Sequence, residues 1–255
     1  MNDAVARAFD RAADYDRHAQ VQREVAGWLA DTLVPLAASG ARILEVGCGT
    51  GFVAAAALPR LDGVDWLMTD IADGMLARAR ARLGGQPGVR FGLTAGDRLN
   101  LPDEAAFDLV CSSLAAQWFD DLPGALAGLM AVLRPGGTLL VTTLMAGTFA
   151  EWQRAHAEEG LSPGTPDYPS LENLSAIRPA GASGTITPRT FVEPHRDAAS
   201  FLRSVRAIGA GTPRPGHRSL GPAALRRVTR RFEATGAVAR YEVALCRFDR
   251  PLNGS

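Results

Sequence analysis

The chain has 255 residues, 47% of them apolar and 21% charged, with 27 basic and 27 acidic side chains. That composition suits one soluble α/β domain, alone or with an inserted lobe, large enough to bury a full core. No apolar run approaches the roughly 20 residues of a bilayer span, charges occupy the start where a signal peptide would be apolar, and a neutral total does not favour nucleic acid; a cytoplasmic protein is expected.

From Val5 to about Leu36 the pattern is helical, with Val21, Val25, Trp28, Leu29, Leu33 and Leu36 near a three-to-four spacing. The stretch from Ala8 to Gln22 is more polar and carries Tyr15, His18 and Gln22. It suits either a solvated helix on the sheet edge or a flap closing over a ligand.

Next comes ILEVGCGTGF, Ile43 to Phe52, on which the rest of the chain is organised. Ile43, Leu44 and Val46 suit a buried strand, and Gly47, Gly49 and Gly51 then remove every second side chain, so a ligand can lie against the backbone. The spacing is G-x-G-x-G and not the G-x-G-x-x-G of dinucleotide sites. Glu45 stands two residues before the first glycine, and a carboxylate there repels phosphate. A ligand with a cationic or hydroxyl-bearing end fits better. Cys48, Cys111 and Cys246 lack metal or redox spacing and read as small core residues, so no metal is expected.

An alanine-rich helix begins at Phe52, and Val64 to Thr69 reads as a second strand ending at Asp70, 19 positions after Gly51. An acid at such a strand tip can take two ribose hydroxyls; it can also simply cap the helix bearing Met75, Leu76, Ala79 and Leu83. Ile71 and Met75 would flank a base with apolar surface. The strand from Val89 to Leu93 leads to Gly96, Asp97 and Arg98, where the acid suits an adenine amino group or a turn. Phe107 to Ser112 is a fourth strand that delivers Ser112, Ser113, Leu114, Gln117 and Trp118 to the carboxyl edge, although Trp118 can equally pack the helix from Leu122. Pro135, Gly136 and Gly137 form a tight turn into a fifth strand ending near Leu144. Alternating strands and helices imply a doubly wound, mostly parallel α/β sheet.

Beyond Leu144 the pattern changes. Residues 146–156 read as a helix, and 160–194 are rich in Pro, Gly, Ser and Thr with a strand-like piece from Thr185 to Val192. Asp197 can cap a helix through Phe201, Leu202, Val205 and Ile208. A loop, a basic helix from Pro222 and a strand from Val238 to Phe248 follow, the last hairpin closing the sheet edge. The expected organisation is a helical cap over 1–36, a ligand-binding core over 37–145, a substrate-covering insertion over 146–221 and a closing helix and antiparallel strand over 222–255. All the basic residues are arginine, and residues 201–255 hold 11 of them against 3 acids. That asymmetry hints at an acidic partner.

The pattern E-x-G-x-G-x-G after a hydrophobic strand resembles motif I of class I methyltransferases. Together with AFDRAADYDRHAQVQREVAGWL, FDLVCSSLAAQWFDDLPGALAGLMAVLRPGGTLLVTTLMAGTFAEW and FLRSVRAIGAGTPRPG, it makes nearly the whole chain similar to the malonyl-carrier-protein O-methyltransferases of biotin synthesis. The resemblance implies S-adenosylmethionine as methyl donor, held by Tyr15, His18, Gln22, Glu45, Gly47, Cys48, Gly49, Gly51, Asp70, Ile71, Met75, Asp97, Arg98, Ser112 and Ser113. It implies a malonyl thioester of acyl carrier protein or coenzyme A as acceptor, with Tyr15, Gln117 and Trp118 positioning it. A carboxylate clamp would come from Arg206, Arg203 or Arg214, and an acidic carrier protein would dock on Arg226, Arg227, Arg230 and Arg231. Two other readings stay open: a methyltransferase for a small-molecule carboxylate, hydroxyl or carbon acceptor, and a binding protein that kept the fold without the chemistry.

Overall fold

The computed structural model describes residues 3–252 apart from 11, 13, 100–105, 180, 210, 212 and 215. Ala210 and Thr212, within the last family-like segment, therefore lie outside the described residues. Five apolar runs form parallel strands: β1 (Arg42–Val46), β2 (Asp65–Asp70), β3 (Val89–Leu93), β4 (Phe107–Ser113) and β5 (Leu133–Leu144). With β6 (Ser183–Pro194) and β7 (Val238–Asp249) they make a seven-stranded sheet in the order β3-β2-β1-β4-β5-β7-β6. β7 is antiparallel to both of its neighbours. The doubly wound, mostly parallel α/β architecture with an antiparallel final strand is thus present.

The strands β6 and β7 close the sheet together, β7 inside and β6 outermost. Side chains decide which takes the edge. Tyr241, Val243, Ala244, Leu245 and Phe248 of β7 are all buried, as an interior strand requires. β6 carries Pro188, which has no N–H for a further strand and is tolerated at an edge.

The helical run expected over 5–36 is instead α1 (Asp3–Asp10), α2 (Tyr15–His18) and α3 (Gln20–Leu33). The break has a tertiary cause. The next helices are α4 (Phe52–Ala57) and α5 (Asp73–Leu83), and α5 draws the linking segment onto itself. The Gly74 N–H donates to Asp10 Oδ1 at 2.9 Å, and the Arg78 guanidinium donates to the Ala12 carbonyl at 2.6 Å.

Helices α3, α4 and α5 cover one face of the sheet, where Leu29, Leu33, Ile43, Trp66, Met68 and Leu76 are fully buried. Each aliphatic side chain of that kind stabilises the fold by about 1.5–3 kcal/mol. The other face is covered by α6 (Leu122–Ala131) and the short α8 (Leu171–Ala176). A third cluster joins α7 (Ala150–Ala157), α9 (Ala198–Ala207) and α10 (Pro222–Ala234) to the β6–β7 end of the sheet through Phe149, Trp152, Phe201, Phe232 and Tyr241. α9 begins with the expected cap: Asp197 Oδ1 accepts from the Ser200 N–H at 2.7 Å.

The strand order reverses between β1 and β4, and in open α/β sheets ligands bind outside the carboxyl ends of the strands at that point. The glycine turn leaves β1 there. Among the described residues, no helix is long and apolar enough to cross a membrane.

Candidate active site

Gly47, Gly49 and Gly51 all have positive φ, at 66°, 55° and 88°, a region that L-residues with a Cβ enter at a cost. Their surroundings differ. A Cβ on Gly47 would collide with the side chain of Ala115, and one on Gly51 would lie 2.9 Å from Leu83. Gly49 faces open space, and its N–H donates to Asp70 Oδ2 at 2.8 Å. Gly47 and Gly49 line the cleft, whereas Gly51 packs against α5.

Asp70 ends β2 with its other oxygen accepting from the Ala72 N–H at 2.9 Å. It is buried, and desolvation pushes its carboxyl above the usual range against the pull of those backbone donors. Together Gly47, Gly49, Asp70, Ile71 and Met75 wall a hollow that reaches Thr94 and Gly96 at one end and Ser113 and Trp118 at the other. Phe9 and Tyr15 roof it.

Two further lobes open from this hollow, and Tyr15 lines all three. One contains Gln22, Glu45, Cys48, Thr50 and Ser113. Glu45 accepts from the Trp66 indole N–H at 3.0 Å. Burial pushes its carboxyl up to about 8, opposed by the Trp66 hydrogen bond and reinforced by the Asp70 charge. Burial likewise pushes the Cys48 thiol up, which leaves it no thiolate character for nucleophilic chemistry.

The other lobe lies under Tyr15, Gln22, Gln117, Trp118, Phe149 and Tyr168. Two of its residues hold left-handed backbone without being glycine, Leu114 at φ 49° and Phe149 at φ 60°. Such conformations cost about 1–3 kcal/mol each and gather at functional sites. Gln117 donates its amide N–H to the Leu114 carbonyl at 2.7 Å, leaving its buried oxygen without a partner. The titratable side chains along the lobe are Tyr15, Tyr168 and Tyr241. Burial raises all three hydroxyls, Tyr168 to about 12. The Tyr241 hydroxyl donates away from the lobe to Glu193 at 3.0 Å. No arginine lines this lobe among the described residues.

The roof is fastened to the glycine turn. Asp16 of α2 accepts from the Thr50 hydroxyl at 2.6 Å and pairs with Arg82, which also donates to the Thr50 carbonyl at 2.8 Å. Tyr15 stacks on Phe52 with ring centroids 6.3 Å apart, and Arg23 and Arg82 flank that Phe52 ring.

Several expected residues stand apart. The His18 imidazole lines none of these lobes; its carbonyl accepts from the Ser204 hydroxyl at 3.4 Å. Asp97 and Arg98 follow Gly96 without lining the hollow. Ser112 is buried within β4, and Ser113 is the serine that reaches the cleft. The three clamp candidates are separated: Arg206 lines a groove outside the third lobe, Arg214 lies farther out 3.7 Å from Asp167, and Arg203 is exposed on α9 and lines none of these hollows. All four arginines of the basic helix are exposed; Arg227 and Arg231 bond Glu159 at 2.7 and 3.0 Å.

Phe9, Thr94, Phe149 and Tyr168 belong to the site and carried no signal in the sequence. Tyr168 falls in a stretch without periodicity, and Phe149 needs a backbone conformation that nothing local announces. Among the described residues, no group of three or more His, Cys, Asp or Glu side chains could hold a metal ion.

Residues 44–139 match a family described as a methyltransferase domain. The chain is 40% identical over 230 residues to a malonyl-[acyl-carrier protein] O-methyltransferase from Magnetococcus marinus, covering 89% of this chain and 84% of that protein. It is 41% identical over 250 residues to a biotin biosynthesis bifunctional protein BioCD from Bordetella avium; there the match takes in 97% of this chain but spans about half, 52%, of the relative. In fold it is similar to the YcgJ protein from Bacillus subtilis, with a TM-score of 0.61 at 18% identity over 91% of this chain and 99% of that one.

Proposed function

The chain belongs to the malonyl-[acyl-carrier protein] O-methyltransferase family, whose methyl donor is S-adenosylmethionine, and on that premise we propose that it methylates the free carboxylate of a malonyl thioester. The product is a methyl ester that passes for an ordinary acyl primer on the way to pimeloyl and biotin. The observation that carries this reading is the lobe beside Tyr15, which holds three raised tyrosines and, among the described residues, no side chain able to act as a base near neutrality. A hydroxyl acceptor needs a proton removed, whereas a carboxylate arrives ionised.

The residues present fit the donor. Gly49 leaves open the space a side chain would fill, Asp70 presents oxygens to ribose hydroxyls, and Ile71 and Met75 offer apolar surface to adenine. The far end of the hollow reaches Thr94 and Gly96, one residue short of Asp97. Glu45 and Gln22 take the ammonium end. When bound, S-adenosylmethionine supplies an electrophilic methyl carbon on a sulfonium. Tyr15, at the meeting of the three lobes, holds the acceptor in line and keeps water from both charges. Trp118 and Gln117 form the wall opposite, on the turn set by Leu114.

A carrier-protein substrate supports a cytoplasmic enzyme. Arg226 and Arg230 are the docking arginines, because Arg227 and Arg231 already share Glu159. The test is the pH profile of kcat with both substrates saturating. It is flat from mildly acid to mildly alkaline pH if the acceptor brings its own charge, and a limb rising with pH would show a base at work.

A further inference from the structure

The lobe beside Tyr15 opens past Phe149 and Tyr168 into a groove of about 380 Å³. Trp152, Phe201, Leu202, Val205 and Leu225 make one wall apolar. The opposite wall is two loops laced together: the Arg214 N–H donates to the Gly164 carbonyl at 2.9 Å, and His217 packs against Gly164. Thr165, Ser219 and His217 interrupt the apolar surface with groups able to hydrogen-bond. Among the described residues, Arg206 is the one arginine lining the groove, and there it is exposed and makes no ion pair.

A three-carbon acid does not fill such a groove, so whatever carries it must be long, flexible, mostly apolar, amide-bearing and anionic at the far end. We propose that the groove holds the phosphopantetheine arm of the carrier protein, with the thioester beside Tyr168 and Phe149 and the phosphodiester on Arg206. This rests on the malonyl thioester reading above and gives Arg206 to the phosphate instead of the malonyl carboxylate. A guanidinium forks onto two phosphate oxygens. Its place outside the methyl-transfer lobe keeps it from competing with the reacting oxygen. The 11 arginines against 3 acids in residues 201–255 favour an acidic protein as the source of the arm over free coenzyme A.

The experiment compares malonyl carrier protein, malonyl-coenzyme A and malonyl-pantetheine, which lacks the phosphate, as acceptors for wild type and Arg206→Ala. A charge-assisted contact of this kind corresponds to about a tenfold rise in KM for the two phosphate-bearing acceptors, with kcat held. The penalty should vanish with malonyl-pantetheine. Equal losses on all three acceptors would show that Arg206 clamps the carboxylate, and no loss on any would remove it from the site; either overturns the proposal. Val205→Trp narrows the groove directly and should depress kcat/KM for every pantetheine-linked acceptor while calorimetric binding of S-adenosylmethionine stays at wild type. Unchanged rates would show that the arm runs elsewhere. Wild-type use of malonyl-coenzyme A as good as that of malonyl carrier protein would overturn the carrier protein as source. A wild-type enzyme that methylates none of the three would overturn the malonyl reading itself.

Discussion

The carboxylate of Glu45 and the indole of Trp66, on the adjacent strands β1 and β2, are joined by a 3.0 Å hydrogen bond wholly inside the protein. The indole is a donor whatever the charge on Glu45, so it orients the acid toward the glycine turn without neutralising it. Burial outweighs that single donor, and the carboxyl stands near 8.

The sign of the pH dependence follows. Without ligand, Glu45 is mostly protonated below pH 8, and if the ammonium of the cofactor lies beside it as proposed, its ionised form is favoured, so cofactor binding should release a proton. Affinity for S-adenosylmethionine should therefore strengthen as pH rises toward 8, and Glu45→Gln should flatten that slope. The folded pKa also lies above the unfolded one, so Glu45 protects stability at low pH and withdraws that protection as pH rises toward 8. Glu45→Gln should then raise Tm of the ligand-free protein at pH 7 and above. Calorimetry in buffers of different ionisation enthalpy reads the proton directly, and an unchanged slope in the variant would clear Glu45 of the role.

For Asp70→Ala, about a tenfold loss of cofactor affinity is expected, the worth of a charge-assisted contact. The substitution also strands the N–H groups of Gly49 and Ala72, at about 1–3 kcal/mol of stability for each group left buried. Asp70→Asn keeps one acceptor oxygen and separates the two effects. Titration with S-adenosylhomocysteine checks it, and wild-type affinity in Asp70→Asn would move the ribose elsewhere.

Gly47→Ala and Gly49→Ala should fail differently. Both force a Cβ into positive φ, which costs about 1–2 kcal/mol, but only at position 47 does the methyl meet Ala115. The first variant should lose the more Tm. At position 49 the methyl enters the cleft, so that variant should stay folded and lose cofactor binding. Equal melting temperatures would contradict the packing account.

Asp16→Ala removes the acceptor shared by Thr50 and Arg82 and loosens the Tyr15 roof. The Arg82 pair is partly exposed, with 30% and 42% of the two side chains accessible, so a modest effect on stability, within about 1 kcal/mol, is expected. The larger change should be a faster cofactor off-rate, read by stopped-flow displacement. An off-rate equal to wild type would show that α2 does not hold the cofactor in.

The glycine turn, the five parallel strands and the Asp197 cap were legible because each depends on neighbours in sequence: a run of apolar residues, a spacing of glycines, a carboxylate before a helix. The helical break between α1 and α3 was not, because Gly74 and Arg78 impose it from across the fold. The place of β6 at the edge depends on which strand can be buried on both faces, a property of the assembled sheet. In the site, Asp70 could be found from its distance to the glycines, whereas Tyr168 and Phe149 come from loops whose path only tertiary packing decides. The arginines show the same limit: their number was plain, but only packing separates Arg206 in its groove from Arg227 and Arg231 on Glu159.

The most direct measurement is the intact mass of malonyl carrier protein after incubation with enzyme and S-adenosylmethionine, beside acetyl carrier protein treated identically. A gain of one methylene on the malonyl form alone, lost on mild ester hydrolysis, is the predicted result. A gain on both forms, or on neither while calorimetry shows the cofactor bound, would contradict carboxylate methylation.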